Sequence, residues 1–151
     1  MLSTAQREQA VSILDAASDL TIATNRADGY PQATTVSFVN DGLKIYFGTG
    51  ADAQKAKNIA KDDRVSIAIT DPYKTWDDIK GVSIGGRARR VTEPEEARRV
   101  SELMFKKFPQ IAKYADFGDG MDLALFRIEA EVISILDYTQ GFGHTDNVAV
   151  N

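Results

Sequence analysis

Residues 43–58 read Leu43-Lys44-Ile45-Tyr46-Phe47-Gly48-Thr49-Gly50-Ala51-Asp52-Ala53-Gln54-Lys55-Ala56-Lys57-Asn58. Over 43–47 the apolar residues alternate, the mark of a half-buried strand, and after the glycines the pattern changes to that of a helix over 52–61. Asp52 is well placed to cap that helix. Such a junction brings the Thr49 hydroxyl, the backbone N–H groups of Ala51 to Ala53 and the Lys55 ammonium toward one point. A helix start with a hydroxyl and a cation suits a phosphate. The plainer reading makes Lys55 and Lys57 solvated helix residues and lets Thr49 simply end a strand.

Upstream, Ser3 and Thr4 can cap an opening helix with Ala10, Val11, Leu14 and Ala17 at helical spacing. The period then becomes two. Leu20, Ile22 and Thr24 share a face, Asp28-Gly29 is a hairpin turn, and the strand pattern resumes over 33–39. A second turn, Asp41-Gly42, leads into the 43–47 strand, so the first three strands read as an antiparallel meander. Downstream, Val65, Ile67 and Ile69 alternate with polar or small residues until Asp71-Pro72, where proline cannot donate to a ladder. A fifth strand spans 82–91, with Gly85-Gly86 marking a bulge or sharp bend. Thr92 and Glu95 form a capping-box pattern for a helix running to about residue 107. A last long strand is expected over 121–137, with Ala124, Phe126, Ile128, Ala130, Val132 and Leu136 on one parity and Arg127, Glu129 and Glu131 on the other. Five or six strands with short helices at the connections predict a small, mainly β, antiparallel barrel in one domain of 151 residues.

Composition narrows the chemistry. With 22 acidic against 18 basic side chains the net charge is -4, which argues against a nucleic-acid partner bound through phosphate neutralisation. There is no cysteine and one histidine, which removes disulfides, thiolate nucleophiles and a zinc cluster. No apolar run approaches the roughly 20 residues of a membrane span and no secretory leader is visible, so a cytoplasmic protein is expected.

The ordered series Leu20-Thr21-Ile22-Ala23-Thr24, Asp28-Gly29-Tyr30-Pro31, Val36-Ser37-Phe38, Ile45-Tyr46-Phe47-Gly48-Thr49, Lys55-Ala56-Lys57-Asn58 and Asp63-Arg64-Val65-Ser66 resembles the FMN-binding split-barrel family, also called pyridoxamine 5'-phosphate oxidase-like. Val82-Ser83-Ile84-Gly85-Gly86-Arg87-Ala88 with Thr92-Glu93-Pro94 extends the similarity, which covers roughly residues 18–100. The resemblance implies a six-stranded split barrel, a homodimer, FMN in a cleft between subunits and a small-molecule substrate. It matches Thr49 and Lys55, with Gly48 before them, to the phosphate-holding positions, and it places Gln54 where the oxidase has an arginine.

The same resemblance lays Gln32, Ala33, Thr34, Thr35 and Val36 along the isoalloxazine ring. There, strand amides and small hydroxyls suit an edge of carbonyls and ring nitrogens. Threonine and valine are also simply good strand formers. Trp76, in a polar loop, is a candidate wall of the pocket or a loop and dimer anchor. The tail from Asp137 combines Tyr138, Phe142, two glycines and His144; Phe142 is a candidate cover for the partner's flavin and His144 a candidate proton donor, against the plainer reading of a dimer-locking tail. No arginine follows Arg127, and the arginine- and histidine-bearing substrate motif of the true oxidase is absent, so that particular activity is not expected. Three functions stay open: a flavin-dependent oxidoreductase, a reductase using a deazaflavin coenzyme, and a non-enzymatic flavin or haem binder.

Overall fold

The computed structural model describes residues 1–113 and 122–151. Among the described residues three α-helices and eight strands follow one another as α1 (Thr4–Ala16), β1 (Asp19–Asn25), β2 (Pro31–Ser37), β3 (Val39–Asp41), β4 (Lys44–Gly50), α2 (Gln54–Lys61), β5 (Arg64–Thr70), β6 (Lys80–Arg90), α3 (Pro94–Lys107), β7 (Leu123–Asp137) and β8 (Thr145–Ala149). All strand pairs are antiparallel, in the order β2-β1-β5-β6-β7-β4-β3, with β8 added to β7.

The strand order forces the sheet to curl. β2 and β3 stand at opposite ends of it, yet only Phe38 separates them in the chain. A flat sheet would hold those ends several strand spacings of about 4.8 Å apart, so the sheet must bend until its edges meet. β2 and β4 come into contact across that seam without pairing. The expected meander is therefore corrected: β1 pairs with β2 and β3 with β4, but β4 takes β7 as its other neighbour. The expected six strands become eight, because 33–39 divides at Phe38 and Thr145–Ala149 adds a strand where a tail was expected.

Inside the curl, Phe38, Phe47, Ile22, Ile67, Ile84, Ile128 and Ile133 are almost wholly buried, and α1 adds Ala10, Ile13 and Leu14. Ser3 caps α1 in a reciprocal box with Gln6. The other two expected caps differ. Ala53, not Asp52, precedes α2, and Glu93, not Thr92, precedes α3; neither side chain makes a capping bond, and Pro94 supplies the start of α3 through its preset φ. Gly29 and Gly42 have φ of 84° and 60°, the left-handed turns expected after Asp28 and Asp41.

β6 and β7 shift register at Gly85/Gly86: Gly85 pairs with Val132 and Gly86 with Ala130, leaving Glu131 as the extra residue. A Cβ at Gly86 would lie 2.2 Å from the Glu129 carbonyl oxygen, so only glycine fits. The bulge inverts the facing of β7. Ala124, Phe126 and Ile128 point inward before it; Ile133 and Ile135 do so after it, while Val132 is 45% exposed. The single parity expected to run through Val132 and Leu136 stops there. Met121, the expected first residue of that strand, lies outside the described residues.

Candidate functional site

α2 is held by one buried amide. Asn58 is 2% exposed; its Nδ2 donates to Thr24 Oγ1 (2.9 Å) and Gln32 Oε1 (3.3 Å), and its Oδ1 accepts from Gln54 Nε2 (2.8 Å). Gln54 and Asn58 share a helix face at i, i+4, so this network fixes α2 against β1 and β2 and sets the direction of Lys55 beside it. The Ala51 N–H donates to the Asp122 carbonyl (2.8 Å) and that of Ala53 to Gly50 (3.0 Å). Those two groups are thus not the open donors the sequence suggested. The helical N–H groups with no carbonyl one turn back are those of Gln54, Lys55 and Ala56.

Lys55 borders a cleft of about 770 Å³, where it meets Gly48 and Thr49 at the end of β4 and Thr35, Val36 and Ser37 of β2. The cleft lies along the seam of the curled sheet. Among the described residues β2 pairs only with β1, so alternate backbone N–H and C=O groups on its other edge face away from the ladder. The opposite wall comes from Val100, Ser101, Met104 and Phe105 of α3 and from Phe108, with Leu123 and Leu125 of β7 beneath. This wall was not foreseen in the sequence. Its signal is the apolar i, i+4, i+8 series Val100, Met104, Phe108, with Phe105 beside it.

α3 is fastened by packing and by charge. Val100 joins Val39, Tyr46 and Val91 in a second core, and Arg127 holds Glu96 at 2.6 Å while Tyr46 donates to Glu96 at 3.2 Å. Burial, and then the neighbouring Glu96 carboxylate, raise the Tyr46 pKa above its ordinary value. One heptad after Val100, Lys107 donates to the Ala17 carbonyl and sits 4.1 Å from the centre of the Phe38 ring; burial lowers its pKa.

The remaining expected residues form a second group. Trp76, on a short turn before β6, lies 6.0 Å from Phe142, which meets Tyr138 edge-on at 5.4 Å. Trp76 is 68% and Phe142 70% exposed, unusual for aromatic side chains of that size. They stand near Asp137, at the other end of β7 from Leu123 and Leu125. Asp137 ties this end together: it accepts from Thr139, Gln140 and Gln9, and the Thr139 hydrogen bond above all holds its carboxyl below the usual range. His144, just before β8, has its Nε2 3.5 Å from Asp146 and shielded from solvent. Within one chain, then, Thr35, Val36, Gly48, Thr49 and Lys55 meet in the cleft. Gln32 and Gln54 stand behind it in the Asn58 network, Ala33 and Thr34 continue β2, and Trp76, Phe142 and His144 lie apart.

Another hollow, of about 550 Å³, opens between the end of α2 and β6. Its charges are largely spent on each other: Asp62 is paired with Arg64 at 2.7 Å and Asp63 with Arg87 and Arg89. Among the described residues no cluster of metal-ligating side chains occurs, and no helix is long and apolar enough to cross a membrane.

The model of the pyridoxamine 5'-phosphate oxidase family matches residues 7–137. The chain belongs to the pyridoxamine 5'-phosphate oxidase-like family. Nothing in this match makes it the true oxidase. Among solved structures of similar fold, the conserved protein Rv2991 of Mycobacterium tuberculosis is 28% identical, with 100% of this chain and 93% of that one covered and a TM-score of 0.76. A haem-binding protein of Mycobacterium smegmatis is 22% identical over 99% of this chain and 59% of its own, with a TM-score of 0.77. The haem storage protein HutZ of Vibrio cholerae is 22% identical over 80% and 86%, with a TM-score of 0.68. The last two similarities concern the fold. No curated protein sequence matches the chain.

Proposed function

We propose that the protein binds FMN and works as a flavin-dependent oxidoreductase on a small molecule. The observation that carries this reading is the meeting of Lys55 and Thr49 with the free edge of β2 in one cleft. Lys55 and Thr49, with the first N–H groups of α2, would hold the phosphate, and the donor set suits a monoester dianion. Backbone groups of β2 at Thr35 and Val36 would read the polar edge of the ring, with Gly48 giving the strand close approach. Bound FMN would supply the hydride or electron transfer, and the chain would supply orientation, an apolar wall from α3 and a fixed positive charge.

The reading includes a homodimer. Trp76 and Phe142 are too exposed to serve their own core and too far along β7 to reach their own cleft, so their place is over the cleft of a second copy. Haem, named for two proteins of similar fold, has less support: the only histidine, His144, turns a shielded Nε2 toward Asp146. The test is direct. Purified protein is expected to show a flavin absorption spectrum and to release FMN identifiable by mass spectrometry. Colourless protein that takes up no added FMN overturns the reading, and release of a deazaflavin coenzyme replaces the cofactor while keeping the site.

A further inference from the structure

The cleft has one charge to offer. Among the described residues that line it, Lys55 alone is ionised at neutral pH, and the proposed function assigns it to the cofactor phosphate. What remains for a second molecule is the α3 wall of Val100, Met104, Phe105 and Phe108 with Leu123 and Leu125 below. Phe105 and Leu123 are 49% and 60% exposed, so this surface still faces water. From these observations we infer that the substrate is an uncharged, largely apolar ring compound, seated against the α3 wall, and that phosphorylated or otherwise anionic substrates are disfavoured. The inference rests on the cofactor reading above and adds the class of molecule that shares the cleft.

Three basic residues of α3 that could have served an anion are committed elsewhere. Arg98 is paired with Glu95 and Glu102, and Arg99 with Asp41. Lys107 donates to the Ala17 carbonyl and lies over the Phe38 and Phe108 rings, outside the residues that line the cleft. In the sequence, residues 128–151 contain no lysine or arginine, so the Phe142 segment of a second copy would bring no cation; of the two lysines that flank Trp76, Lys80 is near enough to Asp137 to help lower its pKa. An anion placed on the α3 wall would lose water without gaining a partner, which is costly. A neutral ring loses little and gains apolar contact. The 770 Å³ of the cleft falls within the roughly 300–1,000 Å³ of small-molecule sites. Ser101 and Gln110 add single polar groups at this wall, enough to orient a carbonyl or hydroxyl but not to neutralise a charge.

The experiment uses a pair of probes with one ring system and different charge: 2-methyl-1,4-naphthoquinone and 1,4-naphthoquinone-2-sulfonate. FMN uptake is measured first. Each probe is then titrated into the oxidised, FMN-loaded protein, where no electron transfer occurs, and followed by the perturbation of flavin absorbance. The neutral quinone is expected to bind at least roughly tenfold more tightly than the sulfonate. Phe105→Arg, at a half-exposed position where the fold can tolerate it, is expected to narrow or reverse that preference, with the melting temperature reporting an intact fold. Loaded protein that prefers the sulfonate, that binds both equally or that binds neither overturns this inference alone. Protein that takes up no FMN fails at the first step and overturns the cofactor reading with it.

Discussion

Replacing Lys55 by alanine isolates the charge on which the phosphate site depends. Lys55 is the one ionised side chain among the described residues lining the cleft, so in Lys55→Ala a phosphate would face the Thr49 hydroxyl and backbone N–H groups only. A hydrogen bond to a charged partner contributes about 1.5–3 kcal/mol, and tenfold in affinity corresponds to about 1.4 kcal/mol. FMN affinity is therefore expected to fall by roughly 10- to 150-fold. The side chain also has an apolar stem, and its loss could weaken any ligand. Riboflavin, which has the same ring and no phosphate, separates the two effects. Titrating apoprotein with each ligand, by quenching of flavin fluorescence, should show the full loss for FMN and a change of less than about threefold for riboflavin, which offers the Lys55 ammonium no anionic partner. Lys55→Arg should recover part of the FMN affinity. Equal losses for the two ligands, or none for FMN, would refute the assignment of Lys55 to the phosphate.

Gly86→Ala forces a methyl against the Glu129 carbonyl and is expected to destabilise the fold by about 3 kcal/mol, read as a lower denaturant midpoint. Asp137→Asn removes a carboxylate that organises the β7–β8 end and should cost about 1–2 kcal/mol at pH 7. Because folding lowers the pKa of Asp137, its contribution is complete above the ordinary aspartate value of about 3.9 and is lost as the pH falls through and below it; parent and variant unfolding curves should converge in acid. Trp76→Ala should leave monomer stability within about 0.5 kcal/mol, since the ring is exposed, yet weaken self-association by at least about tenfold in sedimentation equilibrium.

Features set by a few adjacent residues were legible in the sequence. The turns at Asp28-Gly29 and Asp41-Gly42, the end of α3 at Lys107 and the strand–helix junction around Thr49 each depend on local conformational preference, and each appears where expected. The strand order was not legible, because whether β4 takes β2 or β7 as neighbour is decided by contacts more than 70 residues apart. Glu131 carries no mark of a bulge. Its partner glycines did, but a bend in β6 does not say which residue of β7 is skipped, and one skipped residue turns Val132 outward. Asp52 failed as a cap because the chain reaches its first helical turn one residue later, after Ala53. In the cleft, Thr49 and Lys55 were readable as a local pair, whereas the α3 wall depends on which side of an amphipathic helix the seam leaves uncovered.

That seam has a consequence for motion. A barrel stitched along its whole circumference opens only by unfolding, but here β2 and β4 touch without a ladder and are joined only through Phe38, β3 and the Asp41-Gly42 turn. The outward amides of β2 should therefore exchange with solvent deuterium early, ahead of those in β6 and β7, and a molecule lodged between the two strands should slow them. The ligand would act as the missing stitch, so occupancy would be recorded in the breathing of the protein as well as in its colour.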